Sequence, residues 1–160
     1  MKKMPNSIGE HILNAEYYLE AAGKHLPPTK DAVHILLLLI GWENLVIADE
    51  ELKAWVKKED VDEKVYRSHV RKFRDVPEVT RVIIGPTGKA KEVRFSSSRD
   101  FEELRMACQY GSNTESKNVK ELFKSGWHLD RLRNGLISKI GWMKVIISAY
   151  EELEKEGAGT

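Results

Sequence analysis

Residues 32–47 read AVHILLLLIGWENLVI, and no other stretch constrains the fold as strongly. From Ile35 to Ile40 it is apolar on every face. A surface helix carries an apolar stripe, whereas a helix that is apolar all round is buried on all sides. The run is too short to span a bilayer, which takes about 20 consecutive apolar residues. Periodicity alone does not separate a buried strand from a buried helix, so length and flanks decide. Pro27 and Pro28 precede the run, Thr29 can cap it, and helix formers continue through Glu50, Glu51, Leu52 and Lys53 to Trp55. The expectation is one long central helix over residues 30–57. It carries one carboxylate in an apolar setting, Glu43, between Trp42 and Asn44.

A chain of 160 residues reads as one domain, 1–160. Its hydrophobic fraction of 41% sustains a core and excludes a disordered chain. A net charge of +1 gives no overall pull toward nucleic acid or membrane. Any binding surface must then come from local segregation of charge. The single Cys108 excludes an intrachain disulfide and a cysteine-rich zinc site, and it fits a reducing cytoplasm. Met1-Lys2-Lys3 is followed by Pro5, Asn6 and Gly9-Glu10 instead of an apolar segment. Neither an export signal nor a transmembrane helix is expected.

Ser7-Ile8-Gly9-Glu10 has capping-box spacing, and the apolar residues behind it recur every three to four positions, which predicts a helix over 8–25. Asp60-Val61-Asp62-Glu63 is a second start signal, for a helix reaching about residue 74. One face of that helix is cationic, with Lys64, Arg67, Arg71, Lys72 and Arg74 around His69. Residues 79–96 read as a β-hairpin insertion, two short strands about Gly85-Pro86-Thr87-Gly88. That tetrapeptide and Lys89 lack the spacing of a phosphate loop and read as a turn. Helices follow over 99–109, from Ser112 or Thr114 to about 133 with a bend at Gly126, and over 141–155, with Asn134-Gly135 as a turn pair. The fold class is mainly α: an antiparallel helical bundle of five to six helices with a small β-hairpin insertion.

No strong catalytic motif is present. His11, His25, His34, His69 and His128 are scattered without the three- or four-residue spacing of helical metal ligands, so neither metal nor cofactor is expected. Cys108 reads as a core thiol. Two features stand out. Glu43, if buried, must be paired or hydrogen-bonded. Residues 128–139 gather His128, Asp130, Arg131, Arg133, Asn134 and Lys139, and an arginine fork among polar groups suits a phosphodiester. The plain alternatives are a structural ion pair for Glu43 and a solvated helix face for the arginines.

Asn14-Ala15-Glu16 with Tyr18-Leu19, Trp42-Glu43-Asn44, Ser68-His69-Val70-Arg71-Lys72-Phe73 and Arg133-Asn134-Gly135-Leu136-Ile137, in this order, resemble the HEPN superfamily. Within it they resemble the AbiV-like abortive-infection proteins. The resemblance covers most of the chain outside the hairpin. It implies an all-helical bundle that often dimerises and, in many members, a metal-independent endoribonuclease. The family active site is an arginine, a polar residue and a histidine four to six residues beyond the arginine. The ribose 2′-hydroxyl attacks the phosphodiester, histidine moves the proton and arginine stabilises the phosphorane. This sequence matches at Arg133 and Asn134 and departs beyond them, where Ser138, Lys139 and Ile140 stand in the place of the histidine. His69, His128 or a partner subunit would have to supply the imidazole through space.

The resemblance thus implies a catalytic set of Arg133, Asn134, His69 and His128. Arg71, Lys72, Arg131 and Lys139 would contact phosphate, and Glu43 would orient an arginine or a histidine. The expected setting is a cytoplasmic defence protein that binds RNA and forms a homodimer, with no membrane association. The alternative is a non-catalytic helical dimer that binds a partner protein or a nucleotide. A third reading is a small-molecule enzyme using Glu43 as acid or base in the bundle core.

Overall fold

The computed structural model describes residues 2–24, 32–84, 86–95, 97–110 and 130–159. The chain is mainly helical. In order come α1 (Asn6–Gly23), α2 (Ala32–Lys57), α3 (Lys64–Arg67), α4 (His69–Lys72), β1 (Val79–Ile84), β2 (Ala90–Phe95), α5 (Ser98–Tyr110) and α6 (Asp130–Ala158).

The apolar run forms the N-terminal part of α2, and three other helices bury it. Ile8, Ile12 and Ala15 of α1, Phe101 and Leu104 of α5, and Leu132 and Leu136 of α6 close around Leu38, Leu39 and Leu45. Each fully buried leucine contributes about 1.5–3 kcal/mol relative to an exposed one, so this helix supplies much of the driving force for folding. By length and composition alone α2 could cross a membrane, and 67% of its most apolar window is buried inside the protein.

Polar contacts fix the helix directions. His34, Asn44 and Glu51 of α2 meet Ala22, His11 and Ser7 of α1, so these two helices are antiparallel. Glu16 of α1 and Met4, just before that helix, meet Lys144 and Glu154 of α6, so α1 and α6 are antiparallel as well. It follows that α2 and α6 run in the same direction. Trp42 meets Leu132 at one end, and Trp55 stacks edge-on to Tyr150 at 5.4 Å at the other. The expected all-antiparallel packing is corrected for this pair.

Three local expectations differ from the structure. Ser7 does not cap α1. Pro5 occupies the cap position, and the Ser7 hydroxyl donates to the buried Glu51 carboxylate at 2.8 Å. A bond to a charged acceptor is worth more than a neutral local cap. The helix expected to reach residue 74 breaks at Ser68, whose backbone is extended (φ −102°, ψ 107°). Its Oγ accepts from the Arg71 amide at 3.4 Å, so the serine ends α3 and caps α4.

The third is Asn134-Gly135, which is no turn. It lies inside α6, which runs unbroken for 29 residues. A Cβ at Gly135 would sit 3.1 Å from both Pro77 Cγ and Trp42 Cζ2, so glycine serves close approach here, not chain reversal. The helix predicted over 112–133, with its bend at Gly126, lies mostly outside the described residues, as does the cap at Thr29.

Strands β1 and β2 pair antiparallel, from Val79 opposite Phe95 to Ile84 opposite Ala90. Gly88 takes φ +76° in the connection, a left-handed conformation that suits glycine.

Candidate functional site

Three successive residues of α2 face different surroundings, because each step along a helix turns by about 100°. A Cβ at Gly41 would meet Leu136 of α6 at 2.9 Å and the Ala15 carbonyl of α1 at 3.6 Å. Trp42 donates its indole N–H to the Leu132 carbonyl at 3.1 Å. Glu43 faces α4 and α5.

The Glu43 carboxylate is the centre of a charged cluster. Oε1 accepts from His69 Nδ1 at 2.9 Å, Oε2 lies 3.7 Å from Lys72 Nζ, and Arg105 Nε is 3.9 Å from Oε1. The break at Ser68 makes this possible. It starts a new helical turn at His69, and the i,i+3 spacing puts His69 and Lys72 on one face. Arg105 reaches in from α5 while its fork holds Glu102, at 2.9 Å through Nε and 3.0 Å through Nη2. That hydrogen bond raises the Arg105 guanidinium above its usual range, against the opposing effect of burial, and Glu43 adds to it. Glu43, Lys72 and Arg105 are 8%, 7% and 8% exposed, whereas the His69 side chain is 40% exposed. Glu43, Lys72 and Arg105 thus lie in the interior, Glu102 is partly exposed, and His69 is the member most open to solvent.

Acceptance by a carboxylate assigns the ring proton of His69 to Nδ1. Nε2 has no partner among the described residues. A histidine held at one nitrogen by a buried carboxylate and open at the other is an arrangement suited to moving a proton.

The remaining candidates are placed as follows. Lys72 is corrected from a phosphate contact to a buried partner of Glu43. Arg71 is exposed, and its Nη1 donates to Asp62 Oδ2 at 2.5 Å. That bond, with the Lys64 amide, holds the Asp62 carboxyl below the usual carboxylate range. Arg131 is exposed and donates to the Glu78 carbonyl at 3.2 Å. Arg133 is half-buried, its guanidinium 3.6 Å from where a Cβ on Gly23 would lie, at the end of α1. Asn134 is exposed, and Lys139 is half-buried. His128 lies outside the described residues. The structure therefore brings His69, Lys72 and Glu43 together and leaves Arg133 and Asn134 at the start of α6. Arg105 was missed in the sequence. Its only signal is a position four residues after Phe101, on the core face of α5.

A second buried carboxylate, Glu51, lies two turns along α2. Ser7 Oγ and Tyr66 Oη donate to it at 2.8 and 2.7 Å, and His11 Nε2 is 3.5 Å away. Ser7, Glu51, Trp55 and Tyr66 line an adjoining cleft of about 600 Å³. Burial and the bond to Glu51 push the Tyr66 phenol up from 10.0 to about 12. The fold thus favours the neutral phenol. Its contribution to stability is full below the ordinary value and is lost as pH rises from 10 toward 12. Denaturant melts across this window should show wild type losing stability more steeply than Tyr66→Phe, and a phenolate absorbance titration should show the latest-ionising tyrosine missing in the variant. Superimposable titrations would refute the assignment.

Among the described residues, no group of three His, Cys, Asp or Glu side chains is placed to hold a metal ion. Comparisons with protein-family models, curated proteins and solved structures find no match to this chain.

Proposed function

We propose that the protein acts on RNA at the His69 site, as a HEPN-type, metal-independent endoribonuclease. The observation that supports this most is the bond from the half-exposed His69 to the buried Glu43. In this mechanism Nε2 takes the proton of a ribose 2′-hydroxyl, and O2′ attacks the adjacent phosphorus. The P–O5′ bond breaks, and the 5′-oxygen leaves with a proton returned from the imidazolium. The products carry a 2′,3′-cyclic phosphate and a 5′-hydroxyl. Glu43 stabilises the imidazolium and keeps the ring oriented, as carboxylates do in other histidine-based sites. The exposed guanidinium groups of Arg67 and Arg71, on the same stretch as His69, meet the phosphates.

The test uses a structured RNA in EDTA. Wild type should leave cyclic-phosphate ends, and His69→Gln should reduce cleavage by about 10²–10⁴-fold, the usual range for general acid–base catalysis. A wild-type rate equal to that of His69→Gln would overturn the enzymatic reading.

The second reading, a non-catalytic helical module that binds a partner protein or a nucleotide, draws on one observation. Of Arg133 and Asn134, the half of the family motif that the sequence retains, Arg133 reaches the end of α1, while His69 meets Glu43.

A further inference from the structure

Helix α2 buries three carboxylates, Glu43, Asp49 and Glu51. Two of them have permanent cations beside them. Glu43 has Lys72 and Arg105, and Asp49 has Lys53 at 2.6 Å and Arg74 at 2.9 Å. Glu51 differs. Among the described residues no lysine or arginine nitrogen lies within 4.0 Å of it. Its bonds come from the neutral hydroxyls of Ser7 and Tyr66, and the His11 imidazole stands at 3.5 Å. A buried carboxylate is costly without a positive partner.

Glu51 also lines the cleft of about 600 Å³ noted above, a volume within the range of small-molecule sites. At Lys58 the backbone turns left-handed (φ 59°), and the Glu59 amide bonds back to the Ala54 carbonyl at 2.9 Å. That reversal brings Val61 to the cleft wall, opposite Pro5 of the N-terminal segment. The exposed charges at the mouth, Lys2 and Lys58 against Glu59 and Asp60, balance one another, and the charge of Glu51 is left over.

The polar hydrogens of the wall are already committed. A hydroxyl carries one hydrogen and two lone pairs. The hydrogens of Ser7 and Tyr66 both go to Glu51, and the indole N–H of Trp55 goes to the Lys2 carbonyl at 2.7 Å. Ser7, Tyr66 and Glu51 therefore offer a ligand only acceptor lone pairs. The complement of such a set is a primary ammonium, which has one positive charge, three donors and no acceptor. The rings of Trp55 and Tyr66 add surface that attracts a cation, and Pro5 and Val61 add apolar wall.

We propose that this cleft binds a small primary amine with an apolar body, its ammonium held by Glu51, Ser7 Oγ and Tyr66 Oη. The site is separate from His69 and does not depend on the RNA reading.

Nuclear magnetic resonance titration with phenethylamine tests it. The amine should shift the Trp55 indole resonance and the amides of Ser7, Glu51 and Tyr66, and the shifts should saturate. Two analogues isolate the head group: 2-phenylethanol lacks the charge, and the N,N,N-trimethyl derivative keeps the charge but has no donor. Each should bind about tenfold more weakly or worse, the scale of a hydrogen bond to a charged group, and Glu51→Gln should weaken phenethylamine to the same extent. Val61→Trp keeps all three acceptors and fills the cleft, so it should abolish binding with unchanged helical circular dichroism. That variant decides the matter if Glu51→Gln does not fold. The absence of saturable shifts at about 10 mM phenethylamine, a concentration that would reveal even millimolar affinity, would overturn the proposal. So would equal binding of either analogue, or wild-type affinity in either folded variant.

Discussion

Replacing Glu43 by alanine should destabilise the protein by about 3–5 kcal/mol, the range found when one partner of a buried ion pair is removed. Lys72 is the reason. Its ammonium is buried, and Glu43 is its only carboxylate within 4.0 Å among the described residues. Arg105 suffers less, because Glu102 still holds its fork. At this chain length each kcal/mol lowers Tm by about 2–4 °C, so the melting point should fall by roughly 10 °C. The paired variant Glu43→Leu, Lys72→Met should recover much of the loss, because it removes both charges and fills the space with carbon. Thermal melts of Glu43→Leu, Lys72→Met and the double form a cycle that isolates the coupling. A Glu43→Ala change within about 0.5 kcal/mol of wild type would mean that Lys72 escapes to solvent when its partner is lost.

Trp42→Ala should cost about 3–5 kcal/mol through the cavity it leaves, with the loss of the indole bond to Leu132 in addition. The damage should be local as well as global. Trp42 holds the first turn of α6 through the Leu132 carbonyl, and its ring lies against Gly135. Amide exchange around residues 132–136 should therefore quicken more than exchange at Leu38 or Leu39, measured under conditions where the variant stays folded. The variant should also change the effect of Gly135→Ala. In wild type the added methyl is crowded by Pro77 and Trp42 together; without the indole one of the two obstacles is gone. Additive effects of the two substitutions would contradict this packing.

Both predictions depend on α2, and the sequence reveals α2 more fully than any other element. An apolar run with no polar face has one stable solution in water, which is burial on all sides, and its length selects helix. Glu43 was conspicuous for the same reason: a carboxylate beside such a run needs partners. The sequence left its partner open between an arginine and a histidine, and packing selected His69. The identity of the other partners was not legible. Arg105 belongs to a helix more than sixty residues away, and nothing in local spacing links the two.

The failures share a cause. Ser7-Ile8-Gly9-Glu10 satisfies the pattern of a capping box, yet its hydroxyl is taken by Glu51 of another helix. Asn134-Gly135 has the composition of a turn, yet it lies within the early turns of α6, where close packing against Trp42 and Pro77 leaves little room for a Cβ. The segment expected as one helix is divided because Ser68 can cap a new turn, and that turn carries His69 and Lys72 to Glu43. In each case the local signal was real and a contact distant in sequence used it differently.

The sequence by itself determined that this chain is mainly helical, that residues near 32–57 lie at its centre and that Glu43 needs company, because hydrophobic periodicity and the cost of burying charge act at the level of a single element. Only the tertiary structure decided that Lys72 turns inward, that Arg105 joins the cluster, that Arg133 stands apart from His69 and that α6 runs parallel to α2. Those outcomes depend on which faces of different helices meet, and helix facing is set by the packing of the whole core.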